Sequence, residues 1–393
     1  MVEPMYILPK IGRLHIELSS RCNASCPACS RNLAGGPVAP DLELTELTLE
    51  DIQFMFPDEI LENIVGINFC GNVGDPGTAK DLLPILEHFQ SKSKQKLAQQ
   101  IRTNGGMRNA DFWHKIGEFF AKQPPAKDDH LFSQAGVVFS VDGLEDTNHI
   151  YRRGVKWEKL FANMKAYSEA GATGIWEWLV FEHNQHQLEE AEKLAKSLGF
   201  IFTVKNPMGF GEYEGVLKGL PVYDKDGNYE YSIYPKDYNG DKTEDQAKVN
   251  TKIDLFTTNS TLPQLNDFSR TLAKSSTVDC KSINGYHQEV YISATGHLLP
   301  CCFLGGIFGQ FTTSYSRYQF NTKLAEFGVD NLNLRKHNLI EVLTNPEFSK
   351  FFRNGWDAKT VEDGKLLFCT ETCGEISAID RLYDRKIIPI LEV

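Results

Sequence analysis

Hydrophobic and polar positions along the first 205 residues alternate between two periods. Short runs rich in β-branched and aromatic residues fall at 14–18, 64–69, 99–103, 136–141, 175–181 and 200–204. The segments between them carry apolar residues at helical spacing. Trp157, Leu160, Phe161, Met164 and Tyr167 form one stripe, with Gly171 placed to end the helix. Leu188, Ala191, Leu194, Ala195 and Leu198 form another, ended by Gly199. Thr48-Leu49-Glu50-Asp51 has the order of a capping box, which opens a helix. Each stripe reads as a core-facing surface without a chemical role. Six strand–helix repeats predict a parallel sheet with helices outside and right-handed crossovers. Six is short of the eight that close a full barrel, so a partial barrel and a doubly wound sheet both fit. In either fold, functional residues collect at the C-terminal ends of the strands.

From about residue 206 the pattern breaks. Residues 221–250 are rich in Tyr, Asp, Lys and Gly, and 223–234 reads as a hairpin turning at Asp226-Gly227. Asp224-Lys225-Asp226-Gly227 is like the start of a calcium loop, but the remaining ligands of such a loop are missing and calcium is not expected. A second hairpin is expected at 289–299, with Gly296 near its turn. The expected division is a β/α unit over 1–206, an insertion over 207–270 that helps shape a substrate pocket, and a small α+β domain over 271–393.

Hydrophobic content of 41% and charged content of 24% exclude wholesale disorder. A net charge of −11 weighs against a nucleic-acid partner, because such a chain repels phosphate backbones. Residues 1–18 contain Glu3, Lys10, Arg13 and Glu17 and no long apolar run, so neither a signal peptide nor a membrane span is expected. A cytoplasmic setting follows as an expectation. In a reducing compartment, clustered cysteines are better read as metal ligands than as disulfides. Five of the nine cysteines lie in the third section.

The chemistry is concentrated after the first strand, in Arg21-Cys22-Asn23-Ala24-Ser25-Cys26-Pro27-Ala28-Cys29. Three thiolates this close on one loop can wrap one metal centre. A [4Fe–4S] cluster usually takes four cysteines, so three leave one iron open to a ligand. A zinc site completed by a distant fourth ligand is the alternative.

The C-x₃-C-x₂-C spacing resembles the signature of the radical S-adenosylmethionine (SAM) superfamily. That resemblance implies a partial (β/α)6 barrel. It also implies a [4Fe–4S] cluster on Cys22, Cys26 and Cys29 whose open iron binds SAM, and reductive cleavage of SAM to a 5′-deoxyadenosyl radical that abstracts hydrogen from a substrate. Cys70-Gly71-Asn72-Val73-Gly74-Asp75-Pro76 resembles the family's loop that contacts the methionine amino group, with Asp75 where Glu is common. Thr103-Asn104-Gly105 closes the third expected strand. Ser140-Val141-Asp142-Gly143, followed by Arg152-Arg153-Gly154, resembles the family segment in which a Ser and an Arg contact SAM. The resemblance thus implicates Gly71, Asn72, Asp75, Thr103, Asn104, Ser140, Asp142 and an arginine in holding SAM, with Arg153 preferred because it directly precedes Gly154. Ala28 departs from the family, which usually has an aromatic there. Trp176, Trp178 and Phe181 are candidates to support the adenine in its place, or are core.

Cys280, Gly296 and Cys301, followed much later by Cys369 and Cys373, resemble a shortened SPASM ("twitch") extension that carries one auxiliary [4Fe–4S] cluster. Cys302 could replace Cys301, and a structural zinc site is the alternative for this set. Tyr286, His287 and His297 flank it and read as hairpin-face residues. Relatives with such extensions mostly modify peptides, and some oxidise small molecules. The resemblance therefore implies a peptide or protein substrate, or else a small-molecule dehydrogenase, with an electron donor such as flavodoxin or ferredoxin. Other classes remain open: an electron carrier, a zinc-stabilised interaction protein, and a methyltransferase.

Overall fold

The first strand, β1 (Ile11–Ile16), leads into a long loop that ends at α1 (Leu49–Met55). The structure is a computed structural model describing residues 3–123, 135–207, 210, 212–213, 216–247, 249–252, 264–309 and 314–374. Thr48 caps α1 as expected: its side chain accepts from the Asp51 backbone, and the Asp51 side chain accepts in return. The repeat continues through β2 (Gly66–Phe69), α2 (Leu82–Lys92), β3 (Ala98–Thr103), α3 (Ala110–Ala121), β4 (Gly136–Ser140), α4 (Trp157–Glu169), β5 (Ile175–Leu179), α5 (Leu188–Ser197) and β6 (Ile201–Lys205). Neighbouring strands from β1 to β6 pair in parallel.

The insertion contains a hairpin, β7 (Leu220–Tyr223) and β8 (Tyr229–Ile233), close to where it was expected. Part of the insertion, including 253–263, lies outside the described residues, as does the end of the C-terminal section, 375–393. The second hairpin is β9 (Gln288–Ile292) and β10 (Leu298–Leu299). Its strands do not build a sheet of their own. β9 runs parallel to β1, giving one eight-stranded sheet in the order β10-β9-β1-β2-β3-β4-β5-β6. The C-terminal section then adds α6 (Cys302–Gly305), α7 (Tyr315–Phe327), α8 (Leu339–Thr344), α9 (Pro346–Asp357) and α10 (Leu367–Cys373). A single hydrophobic cluster runs from Met5 through the sheet to Cys369, so the two sections share a core. β9 offers Val290 and Ile292 to that core, and an exposed edge of β1 would otherwise face water.

The two faces of the sheet differ. Leu14, Ile16, Ile67, Phe69, Ile101, Val137, Phe139, Trp176 and Trp178 are buried on one face. There Phe69 meets Phe89 of α2, and Phe139 meets Trp113 of α3 and Tyr167 of α4. The other face carries Tyr291, His15, Asn68, Gln100, Arg102, Ser140, Glu177, Thr203 and Lys205, which register pairing places side by side. Parallel strands buried on both faces ordinarily read as continuous apolar runs. Here the face turned away from the helices is largely polar. No helix among the described residues is long and apolar enough to cross a membrane.

Candidate active site

Cys22, Cys26 and Cys29 lie on the loop after β1, at the C-terminal end of the sheet. The Cys29 amide donates to the Cys26 carbonyl at 3.0 Å, which makes the second half of the motif a tight turn. Each thiol meets a different strand-end loop. Asn104, after β3, places Nδ2 3.5 Å from Cys22 Sγ. Arg152, after β4, places a guanidinium nitrogen 3.6 Å from Cys26 Sγ. The Asn72 carbonyl, after β2, lies 3.8 Å from Cys29 Sγ.

Close backbone packing holds this loop. A Cβ on Gly74 would lie 1.6 Å from the Ser19 carbonyl oxygen. Gly154 has φ +86°, and a Cβ there would lie 2.6 Å from the Asn23 carbonyl oxygen. Only glycine tolerates that approach and that backbone region together.

Asp75 is fully committed. Its carboxylate accepts from Thr103 Oγ1 at 2.8 Å, Gly77 N at 2.8 Å, Asn104 N at 2.8 Å and Asn104 Nδ2 at 2.7 Å. Those contacts fill its lone pairs, so Asp75 ties the β2 and β3 loops together. Thr103 and Asn104 are the other halves of that tie. Gly71 sits within the same compact loop, where a Cβ would meet the Gly74 backbone. Asn72 turns its side chain away from the cysteines, donating to Tyr291 Oη at 3.1 Å and to the Cys302 carbonyl at 2.9 Å. Ser140 ends β4 on the polar face, level with Glu177.

The two arginines diverge. Arg152 is held by Asp142, whose Oδ2 accepts from Nε at 2.5 Å and whose Oδ1 accepts from the Leu179 amide at 2.6 Å. Arg153, the residue preferred from its place before Gly154, turns to the insertion hairpin. It pairs with Glu230 at 2.5 Å and lies 5.6 Å from the Tyr231 ring centroid. The following Gly154, with its left-handed backbone, sets the direction of the chain but not which neighbour faces the cysteines.

Trp176, Trp178 and Phe181 are all buried. Trp176 donates to the Val141 carbonyl at 3.0 Å and packs with Trp157, Trp178 and Phe202. Phe181 lies against Tyr151 at 4.6 Å between centroids. The two tryptophans belong to the core side of β5. Tyr286 is exposed, His287 covers Gly12, and His297 bonds Thr295 Oγ1 through Nδ1 at 2.9 Å.

Glu17 and Tyr291 carry no motif, and sequence reasoning missed them. Glu17 Oε1 accepts from the Val73 and Gly74 amides at 2.7 and 3.1 Å, and its Oε2 accepts from Tyr291 Oη at 2.6 Å. Burial raises the Glu17 carboxyl, and these hydrogen bonds work against the rise. A carboxylate near the end of an otherwise apolar run, five residues before Cys22, was the available signal for Glu17. Tyr291 had none, because its partner is 274 residues away.

Burial pushes the Cys22 thiol up to about 12 and Cys29 to about 11, and the cysteines repel each other's charge. Cys26 is also raised by burial, with Arg152 pulling it back. Burial opposes the charge on Arg152, but Asp142 and Cys26 together hold it firmly protonated. Three thiols, Cys26 buried and Cys22 and Cys29 half-buried, beside one fixed cation are a donor set that becomes favourable once a metal takes the protons' place.

A second set gathers in the C-terminal section. Cys280, Cys301, Cys369 and Cys373 line one cavity whose other walls include Leu304, Trp356 and Phe368. Cys302 is not among its walls. Burial raises Cys280 to about 11 and Cys369 to about 12, and Cys301 further. Burial raises Cys302 to about 12, with Glu289 and Cys70 on the barrel side adding to the rise. Among the described residues, no three His, Cys, Asp or Glu side chains form a ready site for a metal ion. Four thiols around an apolar cavity are the donor set of a four-cysteine iron–sulfur cluster or of a tetrahedral zinc ion.

The architecture is the radical SAM core fold: a parallel β/α sheet with helices on one face. The chain is similar to SuiB of Streptococcus suis bound to S-adenosylmethionine, at TM-score 0.50 and 17% identity, covering 93% of this chain and 73% of that one. SuiB bound to its precursor peptide SuiA matches at TM-score 0.48 and 16% identity, covering 93% and 72%. No protein-family model and no curated protein matches the sequence.

Proposed function

We propose that this protein is a radical SAM enzyme acting on a peptide or protein. The observation that carries the reading is the meeting of Cys22, Cys26 and Cys29 with the loops after β3, β4 and β2 respectively. A structural metal site has no need of three strand-end loops. A site that must seat a cofactor against a chamber does.

The donor set fits a [4Fe–4S] cluster on the three cysteines, with a second on Cys280, Cys301, Cys369 and Cys373. When bound, the first cluster supplies the electron that splits SAM into methionine and a 5′-deoxyadenosyl radical, which takes hydrogen from the substrate. The chain's own residues position and shield. Arg152, oriented by Asp142, presents a guanidinium beside the cysteines, where a carboxylate of SAM can be recognised. Asp75, Thr103 and Asn104 fix the backbone of the loops that line the same place. Ser140 and the polar face below supply the wall on which a substrate rests. The apolar walls around the C-terminal cysteines exclude water from that set.

The shortened arrangement of C-terminal cysteines supports a peptide substrate, and a small-molecule dehydrogenase is the alternative. An electron donor of the flavodoxin or ferredoxin kind and a reducing, cytoplasmic setting belong to the same reading. The test is anaerobic protein with reconstituted clusters, dithionite and SAM, assayed for 5′-deoxyadenosine. Its formation, lost in Cys26→Ala, is expected. S-adenosylhomocysteine as the product, or protein that retains zinc in place of iron and sulfide, would overturn the reading.

A further inference from the structure

The polar face of the sheet holds an unbalanced charge group. Arg102 of β3 reaches past β4 to place a guanidinium nitrogen 2.8 Å from Glu177 Oε1 of β5. Lys205, at the end of β6, places Nζ 2.6 Å from the same oxygen. Two cations therefore share one carboxylate. Glu177 is held near 2: burial works against its charge, but Arg102 and Lys205 overcome it.

The surrounding groups do not restore the balance. His15 is lowered by burial to about 4 and stays neutral. Cys70 is raised by burial to about 11 and stays a thiol. Asp142 is already paired with Arg152, Asp75 is spent on the loops, Glu17 is held by the Val73 and Gly74 amides and Tyr291, and Glu289 lies beside His15 at the far edge of the face. Arg102 and Glu177 balance each other with side chains 16% exposed, and the positive charge left over is that of Lys205, whose side chain is 46% exposed at the strand end. A cation held there beside a saturated carboxylate oxygen can take a second anion.

Other buried polar groups on this face also lack partners. Asn68 and Gln100 are 3% and 2% exposed, and neither Asn68 Oδ1 nor Gln100 Oε1 has a hydrogen-bond partner. Arg102 Nε is likewise buried without one. Asn68 and Gln100 are register partners, and Gln100 lies two residues before Arg102 on the same face. Unpaired amides beside an unbalanced cation describe a site built for a ligand that brings both an anion and hydrogen-bonding groups.

We infer that Arg102 and Lys205 anchor a carboxylate of the substrate, so that the peptide enters the chamber by an acidic side chain, with Asn68 and Gln100 bonding its amides. Glu177 is a positioning residue that holds both cations toward the ligand. This preference runs against the net charge of the whole chain, −11, because the chamber wall has the opposite local sign. The inference rests on reading the polar face as the substrate chamber.

The test uses anaerobic, cluster-reconstituted protein and three probes of like size: the N-acetyl, N-methylamide derivatives of glutamate, glutamine and lysine. Binding is followed by ligand-observed NMR, with and without SAM. The glutamate probe should bind at least roughly tenfold more tightly than the other two. Arg102→Gln should remove that preference. Lys205→Gln, at a half-exposed strand end where folding is not at stake, should reduce it about threefold. Equal binding of the glutamine probe, or an undiminished preference in both variants, would overturn the inference. So would displacement of the glutamate probe by SAM, which would assign the cations to the cofactor. Absence of SAM binding alongside an intact preference would overturn the SAM reading alone and leave the carboxylate site standing.

Discussion

Asp142 Oδ2 accepts from Arg152 Nε across 2.5 Å, and this one contact decides which arginine of the Arg152-Arg153 pair faces the cysteines. Asp142 is fully buried at the end of β4, and its other oxygen is held by the Leu179 amide of β5. The carboxylate is thus fixed by the sheet, and it fixes the guanidinium in turn. Arg153 has no such anchor and turns to the solvent-side hairpin.

SAM affinity should separate the two arginines. Loss of a charge-assisted, part-buried contact costs about 1.5–3 kcal/mol, or roughly tenfold or more in binding. Arg152→Gln is expected to weaken SAM binding by at least that factor, measured by equilibrium dialysis on reconstituted protein. Arg153→Gln should change it less than about threefold, since its partners Glu230 and Tyr231 lie on the insertion. Equal effects of the two substitutions would contradict the geometry.

Iron content should fall in steps. With two [4Fe–4S] clusters, the reconstituted protein should hold about eight irons per chain. A triple Cys22/Cys26/Cys29→Ala variant should hold about four, and so should a variant lacking Cys280 and Cys373. Cys302→Ser should match the parent, because Cys302 is not a wall of the second cavity. Iron loss in Cys302→Ser would move the ligand from Cys301.

Tyr291 bridges Glu17 of the barrel to Asn72, and through Asn72 to Cys302. Tyr291→Phe would leave a buried Glu17 oxygen without its donor. A cost of about 1–3 kcal/mol is expected, seen as a melting temperature lower by several degrees. Tyr6→Phe is a useful comparison, since its hydroxyl bonds only backbone carbonyls, Glu289 at 3.0 Å and Pro300 at 3.5 Å. A melting temperature unchanged in Tyr291→Phe would show that the bridge contributes no net stability.

Stability should also carry a signature of Glu289. Burial raises its carboxyl from 4.5 to about 7, with Arg13 opposing the rise. The folded chain therefore binds this proton more tightly than the unfolded chain does. Its contribution is fully present below about 4.5 and is lost as pH rises through about 7. Glu289→Gln should remove that loss. Between pH 5.5 and 8, the melting temperature of the variant relative to the parent should rise with pH. A difference between the two that is flat across that range would contradict the assignment.

Much of this protein was readable along the chain because its causes are local. The six strands of the β/α array follow from runs of apolar residues, the α1 cap from Thr48 and Asp51, and the two hairpins from their glycine turns. The three-cysteine loop likewise declares itself by spacing alone.

What only the tertiary structure decided were relations between distant segments. Periodicity reports which face of a strand is apolar, but not which strand lies beside it. So the 271–393 section read as a separate domain, whereas β9 joins the barrel sheet along β1. The choice between Arg152 and Arg153 turned on Asp142, and the Glu17–Tyr291 bond joins residues 274 apart. The charge group of Arg102, Glu177 and Lys205 exists only because three strands bring their polar faces together. Local sequence sets what a segment can become. Burial then selects which of those options meet, because a charged or polar side chain removed from water must find its partner wherever the fold places one.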